Sequence, residues 1–154
     1  MKKIKIFLAS SNEIKVNREK FEIEIYRKCK AWFDKGIFLH LDIWEDLSAR
    51  MSTTGSQDEY NKKVKEADLF VLLAFSKVGM YTAEEFETAF GQFKKTSKPI
   101  IFTYFKDAEI TTGRADKKDL MSLWAFQEKL EALGHFQTKY KNIDDLKYQF
   151  IGCV

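Results

Sequence analysis

The chain has 154 residues, which is the size of one domain and leaves no room for a second core. Hydrophobic residues make up 45% of the sequence and charged residues 32%, with only 7 Gly and 1 Pro, so a fibrous or disordered chain is excluded. Lys and Arg number 26 against 23 acidic residues, and this near balance lacks the basic excess of a nucleic-acid-binding domain.

Cysteine usage and the N-terminal segment bear on the cellular compartment. Cys29 and Cys153 form no CxxC pair, and His40 and His135 are the only histidines, so we expect neither a disulfide framework nor a metal site. The opening MKKIKIFLASSNEIK has only four consecutive apolar residues, which is too few for a signal peptide. No run of about 18 apolar residues occurs, and we therefore predict a soluble, cytoplasmic domain without membrane contact.

Short apolar runs alternate with helical patterns along the first 105 residues. Ile4–Ala9 predicts a strand, and Ser10 followed three residues later by Glu13 is a capping-box signature for a helix start. The amphipathic helix that follows ends at Gly36. The next predicted elements are a strand at Ile37–Trp44, a helix near Gln57–Glu66, a strand at Leu69–Phe75, a loop at Ser76–Met80, a helix at Ala83–Lys95 and a strand at Pro99–Phe105.

The order of these elements predicts an open parallel sheet with helices on both faces. The continuous apolar run LFVLLAF suits a strand that is covered on both sides. Beyond residue 116 the chain is mostly helical, with a short strand near Phe136–Tyr140 and a helix from Asp144 onwards. Ligands of such sheets bind outside the carboxyl ends of the strands. The loops of interest are therefore 9–12, 44–56, 75–82 and 105–115.

Several families with this architecture are excluded by those loops. LASSNEIK contains no glycine and so is not a phosphate-binding P-loop, and no GxGxxG dinucleotide fingerprint occurs. A phosphoacceptor receiver domain needs acidic residues at the ends of the first and third strands, and here those ends carry no carboxylate. No GxSxG elbow is present either. Kinase, hydride-transfer and esterase chemistry all lose support.

Three glutamates open the helix after the third strand, at the ligand-binding edge. Favourable interaction with the helix dipole is the simplest explanation for them. A helical wheel places Glu84 opposite the apolar stripe, and Glu85 and Glu87 on its two flanks. Glu85 also follows Tyr81 by one turn, so a carboxylate and an aromatic ring are expected on one wall of a pocket. The stripe itself consists of Phe86, Ala89, Phe90 and Phe93.

The chain resembles a TIR domain, in particular the bacterial branch found in anti-phage effectors, including those fused to a cyclic-dinucleotide sensor of the STING type. The resemblance covers about the first 107 residues. It rests on KIFLASSNEIK, WEDLSARMSTTGSQDEYNKKVKEADLFVLLAFSKVG and YTAEEFETAFGQFKKTSKPIIFTYFKD. It implies a flavodoxin-like open sheet of about five parallel strands. It also implies cleavage of the nicotinamide–ribose bond of NAD⁺, which makes NAD⁺ a substrate, with no cofactor.

The resemblance also assigns the catalytic carboxylate. In the family this is a glutamate one turn beyond an aromatic residue, usually Trp, which corresponds here to Glu85 after Tyr81. Glu84 is the alternative if the alignment shifts by one residue. Tyr in place of Trp is one departure from the family. The other is the loop SARMSTTGSQDEYN, which lacks the proline-containing motif of signalling TIR domains and argues against an adaptor role.

A single carboxylate suits this reaction. Nicotinamide is a cationic leaving group in NAD⁺ and departs neutral without a proton, unlike the leaving oxygen of ordinary glycosides. A carboxylate near the ribose hydroxyls stabilises the positive charge that develops at the anomeric carbon. The further predicted substrate-binding residues are Ser10, Ser11, Trp44, Asp46, Arg50, Phe75 and Tyr81. Each of these has a simpler alternative. The serines could only cap a helix, the rings of Trp44 and Phe75 could pack in the core, and Arg50 could be solvated.

Two other functions stay open at this point. One is a non-catalytic module that only assembles with other TIR domains, and the other is a different N-glycosidic enzyme acting on nucleosides. Enzymes of the family act as oligomers, so a neighbour's loop 44–56 is expected to complete the site. The apolar ending YQFIGCV suggests that residues 1–154 form a single N-terminal effector module joined to a C-terminal sensor.

Overall fold

The structure, a computed structural model, describes residues 1–10, 12–43, 56–135 and 137–151. Strands and helices alternate through this part of the chain. In order they are β1 (Lys2–Ser10), a 3-10 helix (Asn12–Ile14), α1 (Lys15–Phe33), β2 (Ile37–Ile43), α2 (Ser56–Glu66), β3 (Leu69–Ala74), α3 (Met80–Thr96), β4 (Ile100–Lys106), α4 (Lys117–Ala132), β5 (Thr138–Tyr140) and α5 (Ile143–Ile151).

The five strands form one parallel sheet in the order β2-β1-β3-β4-β5. Ile6 of β1, for example, pairs with Leu41 of β2 on one side and with Leu69 of β3 on the other. This confirms the predicted open sheet of flavodoxin-like type. The chain leaves β1 towards β2 and returns to β3 on the other side of β1. The carboxyl ends of β1 and β3 therefore mark the switch point where ligands of such sheets bind.

Helices cover both faces of the sheet, and each face has its own core. On one face Phe70 and Leu72 of β3 pack with side chains of α2, α3 and α4. On the other face Val71 and Leu73 of the same strand pack with side chains of α1 and α5. Since neighbouring side chains of a strand point to opposite faces, β3 must be apolar at every position, which confirms the prediction that this strand is covered on both sides. None of the described helices has the length and apolar character needed to cross a bilayer.

Two boundaries differ from the sequence-based expectation in ways that matter for the site. The helix predicted at Ala83–Lys95 begins earlier, at Met80, so the loop after β3 ends at Gly79. The first helix also starts differently from the capping box predicted at Ser10 and Glu13. β1 runs through Ser10, a 3-10 turn follows, and α1 begins at Lys15 without a side-chain cap.

Candidate active site

The glutamates of α3 lie deeper in the helix than the sequence suggested. The N-cap is Gly79, and no acidic residue falls in the first turn that begins at Met80. The influence of the helix dipole on side chains declines beyond the first turn. Interaction with the dipole therefore does not account for Glu84, Glu85 and Glu87, and each needs its own explanation.

Glu84 and Glu87 lie at the surface and contact the helices on either side of α3. Glu84 accepts a hydrogen bond of 3.4 Å from the side-chain amide of Asn61 in α2. Glu87 forms an ion pair with Lys129 of α4. These two side chains are thus explained by contacts between neighbouring helices, and such exposed pairs contribute only modestly to stability.

Glu85 differs from both because it is buried, with 1% of its surface exposed. The next residue, Phe86, and Ala89 one turn further on are fully buried against the sheet. Oε1 of Glu85 has no hydrogen-bond partner among the described residues. Burial, and then the charge of Glu84, raise the pKa of Glu85 from 4.5 to about 8.

A buried carboxyl oxygen without a hydrogen bond is costly to the folded state. Proteins rarely keep such a group for structural reasons, and a strongly raised pKa at a ligand-binding edge is characteristic of functional carboxyl groups. Glu85 is therefore the functional candidate among the three glutamates.

The loop between β3 and α3 is held from both sides. The carboxylate of Glu13 accepts hydrogen bonds from the backbone N–H of Ser76 at 2.7 Å and of Lys77 at 3.2 Å, and from the hydroxyl of Ser76. On the other side the backbone N–H of Val78 donates to the hydroxyl of Ser122 in α4 at 3.2 Å. The loop that leads to Glu85 is thus fixed relative to β1 and α4.

A buried arginine lies beside the end of β1. The side chain of Arg18 is 1% exposed, and its Nη1 donates to the hydroxyl of Ser10 at 3.4 Å. Sequence reasoning missed Arg18, although a signal was available. Its position, four residues after Ile14 and three before Phe21, is on the apolar face of α1. A cation in that stripe indicates a polar cluster at the carboxyl edge of the sheet.

Tyr140, at the end of β5, belongs to the same polar region. Its hydroxyl donates to Oδ1 of Asn17 in α1 at 3.1 Å. Burial, and then the nearby charge of Glu13, raise the pKa of the Tyr140 hydroxyl far above its ordinary value. Tyr140 is therefore a neutral hydrogen-bond donor at every physiological pH.

Two of the predicted binding residues are described with their side chains. Ser10 is largely buried at the end of β1, in register with Leu73 of β3. Ala9, immediately before Ser10, shares a core cluster with Phe86, immediately after Glu85, so the end of β1 and the glutamate turn of α3 meet on one face of the sheet. Phe75 packs partly against the opposite cluster, and Nζ of Lys106 lies 5.8 Å from the centre of its ring.

The other predicted binding residues stay predictions. Ser11, Trp44, Asp46 and Arg50 lie outside the described residues. Tyr81 lies in α3 one turn before Glu85, as predicted, but its side chain is not among those described. Within the described part of the chain, no group of three or more His, Cys, Asp or Glu side chains is arranged to hold a metal ion.

None of the known protein-family models matches the chain, and neither curated proteins nor solved structures give a significant match. A function is therefore inferred from the chemistry of the site together with the motifs that resemble TIR domains.

Proposed function

We propose that the chain is a TIR-like NAD⁺ glycohydrolase in which Glu85 is the catalytic carboxylate. One observation carries the proposal: Glu85 is a buried carboxyl group with an oxygen that has no hydrogen-bond partner among the described residues. It lies on the helix after the third strand, at the carboxyl edge of the sheet, one turn after an aromatic residue. Ribose hydroxyl groups are suitable donors for such an oxygen.

The reaction needs little proton transfer. The bond between the anomeric carbon of the ribose and the ring nitrogen of nicotinamide breaks, and its electron pair leaves with the nicotinamide. Water then adds to the anomeric carbon and releases a proton, so that the products are nicotinamide, ADP-ribose and H⁺. A cyclic product forms instead when the adenine of the same molecule attacks that carbon.

Ionised Glu85 stabilises this transition state. Its charge attracts the positive charge that grows at the anomeric carbon, and a buried site screens this attraction less than water does. The carboxylate also orients the ribose by accepting from its hydroxyl groups. Because burial raises the pKa of Glu85 to about 8, only part of the protein carries the active carboxylate at neutral pH.

The rest of the substrate extends from Glu85 along the same edge. In this proposal Ser10 and Ser11 receive a phosphate or ribose group near the end of β1, and Arg50 pairs with the pyrophosphate. The rings of Trp44, Phe75 and Tyr81 stack on the bases, and Asp46 accepts from a ribose. Hydrogen bonds to Glu13 after β1 and to Ser122 of α4 hold the loop 75–79 beside this edge.

The proposal includes a biological role as an anti-phage effector that depletes NAD⁺. Self-association switches the enzyme on, with loop 44–56 of one copy completing the site of its neighbour. A cyclic-dinucleotide sensor, fused after the domain, supplies the signal. The signal thereby activates catalysis, because it raises the local concentration of the domains and aligns them with one another.

The test is the release of nicotinamide from NAD⁺, measured by chromatography with concentrated or artificially clustered protein. Glu85→Gln should lower the rate by at least about 100-fold, since it removes the negative charge that stabilises the transition state. Glu87→Gln, on the exposed flank of the same helix, is the matched control and should retain the wild-type rate.

The remaining outcomes separate the alternatives. Loss of activity in Glu84→Gln but not in Glu85→Gln would move the catalytic role to Glu84. Cleavage of nucleosides in place of NAD⁺ would indicate another N-glycosidic enzyme. If the clustered wild type cleaves neither substrate, the chain is a non-catalytic interaction module.

A further inference from the structure

The turn that follows β3 binds a carboxylate from a distant part of the chain. The backbone N–H groups of Ser76 and Lys77, which are consecutive, both donate to Oε1 of Glu13, at 2.7 and 3.2 Å. The hydroxyl of Ser76 donates to Oε2 of the same carboxylate. Consecutive N–H groups that converge on one oxygen form a nest, a backbone concavity that binds anions such as phosphate. These three donors are named here the 76–77 nest.

The contact between Glu13 and the 76–77 nest differs from a local helix cap. Asp145, for comparison, accepts the backbone N–H of Lys141, four residues earlier, at 2.9 Å and beside the start of α5. That carboxylate bonds a single backbone N–H group close to it in sequence. Glu13 lies 63 residues from its partner and uses both of its oxygens. Its carboxylate therefore occupies the nest in the way that a separate anionic ligand would.

The 76–77 nest lies where a ligand can reach it. Ser76 follows β3 at the carboxyl edge of the sheet, which is the edge where ligands of parallel sheets bind. Glu13 is exposed, whereas Ser76 and Lys77 are half-buried. Because the Glu13 carboxylate is already in contact with water, it can leave the nest without the cost of moving a buried charge. An anion from solution can then take its place.

Two ammonium groups at this edge favour an anion with more charge than a carboxylate. Lys77 is part of the turn itself, and Nζ of Lys106, at the end of β4, lies 5.8 Å from the centre of the Phe75 ring. Glu13 and the exposed Asp107, which follows Lys106, oppose these cations. A phosphate group carries more charge and more acceptor oxygens than a carboxylate, so it gains more from backbone donors and nearby cations.

We propose that the 76–77 nest is a binding site for a phosphate or pyrophosphate group, which Glu13 occupies until a ligand replaces it. Glu13 is then an internal competitor, because a tethered carboxylate has an effective concentration that a free anion must exceed. The site rests on the proposed function only for the identity of the ligand, which in that function is the pyrophosphate of NAD⁺. Its test uses inorganic pyrophosphate and does not depend on NAD⁺ cleavage.

The decisive experiment is a titration with pyrophosphate at constant ionic strength, followed through the backbone amide signals of Ser76 and Lys77 in NMR spectra. In Glu13→Ala we expect saturable shifts of both signals, with a dissociation constant on the order of 1 mM. The wild type should bind at least about tenfold more weakly, since Glu13 competes for the same donors. Glu13→Gln keeps the size of the side chain without its charge and should have an intermediate affinity.

Lysine variants in the Glu13→Ala background test the charge of the site. Lys77→Gln and Lys106→Gln should each weaken pyrophosphate binding by about threefold or more, because each removes a nearby cation. Lys95→Gln, an exposed lysine in the last turn of α3, is the matched control. It should leave the affinity unchanged, since salt screens charges that are far from the site.

Thermal unfolding provides an independent measurement of the same binding. A ligand that binds only the folded state raises the melting temperature. At about ten times its dissociation constant for Glu13→Ala, pyrophosphate should raise the melting temperature of that variant by about 3 °C or more, and that of the wild type by less. Asp145→Ala, which removes a carboxylate from a single backbone N–H group, is the matched control and should respond like the wild type.

Several outcomes would overturn the proposal. One is a Glu13→Ala variant whose Ser76 and Lys77 signals do not shift with pyrophosphate up to about 50 mM. Equal affinities of the wild type and Glu13→Ala would show that Glu13 does not occupy the site. Equal weakening by Lys95→Gln would show that binding is non-specific. If Glu13→Ala does not fold, the comparison of Glu13→Gln with the wild type carries the same test.

A parallel titration with ADP-ribose separates the two sources of the phosphate group. Shifts of the same two amide signals by ADP-ribose would assign the 76–77 nest to a nucleotide, as the proposed function requires. Shifts by pyrophosphate but not by ADP-ribose would assign it to a free anion. That result would count against the proposed function and leave the anion site in place.

Discussion

Glu13 and Ser76 join the carboxyl ends of two adjacent strands, β1 and β3. The carboxylate of Glu13, just after β1, accepts from both the backbone N–H and the hydroxyl of Ser76, just after β3. A single carboxylate thus spans the switch point of the sheet and fixes the loop from which α3 begins. The two strand ends are far apart along the chain, and this contact holds them side by side.

Replacement of Glu13 should therefore destabilise the fold beyond the usual cost of a surface change. Glu13→Ala removes the acceptor for two backbone N–H groups and should lower the free energy of unfolding by about 1 to 3 kcal/mol. Glu13→Gln keeps one acceptor oxygen and should cost less. Urea unfolding measures both, and Glu128→Ala on the exposed surface of α4 is the control. Equal, negligible effects of all three changes would show that the contact does not stabilise the fold.

The burial of Glu85 should make stability fall as the pH rises. The pKa is about 8 in the folded protein and 4.5 for an ordinary Glu, so between these values the folded state holds a proton that the unfolded state has lost. Stability should therefore decline by up to about 1.4 kcal/mol per pH unit across this interval and level off above it.

Urea unfolding between pH 5 and about pH 9 tests this dependence. Glu85→Gln cannot ionise and should remove most of the decline, whereas Glu87→Gln should retain it. A decline that persists unchanged in Glu85→Gln would mean that another group is responsible.

The rate of NAD⁺ cleavage should show the opposite pH dependence. In the proposed mechanism only the ionised form of Glu85 is active, so kcat/KM should rise about tenfold per pH unit below the pKa and become constant above about 8. Initial rates in a series of buffers of constant ionic strength measure this profile. A rate that is flat from pH 6 to about pH 9 would show that catalysis does not depend on the ionisation of a carboxyl group with this pKa.

Arg18 should contribute to stability through both its stem and its charged group. Arg18→Ala leaves a gap in the core and removes the donor to Ser10, so we expect a loss of about 2 to 4 kcal/mol. Arg18→Met retains most of the packing volume and should lose less. Thermal unfolding of the two variants separates the contributions, and Lys20→Ala, on the exposed side of the same helix, should have little effect. A Met variant as unstable as the Ala variant would assign the whole effect to the charged group.

Local patterns predicted the sheet well because the relevant forces act at short range. The apolar run of β3 requires burial on both faces, and that requirement alone indicates a central parallel strand. The start of α3 was misplaced because Gly79 caps the helix through its extended backbone, without the side-chain acceptor that marks most helix starts.

The site was harder to predict because its contacts are distant in sequence. Glu13 has the spacing of a local cap, yet its partner is 63 residues away, a separation that no periodic pattern reports. Glu85 and Glu87 occupy equivalent flanks of the apolar stripe. Only the packing of the helices distinguishes them, since Glu87 reaches Lys129 on the surface and Glu85 does not reach solvent.

Below about pH 8 the carboxyl group of Glu85 is mostly protonated and carries no charge, and this has a consequence for ligand binding. In the proposed function the ligand brings a positively charged nicotinamide ring next to that carboxyl group, which favours its ionisation. Binding then exchanges one cation for another: the ring enters and a proton leaves for the buffer. Below about pH 8, NAD⁺ association should thus acidify a weakly buffered solution, and its heat should vary with the ionisation enthalpy of the buffer.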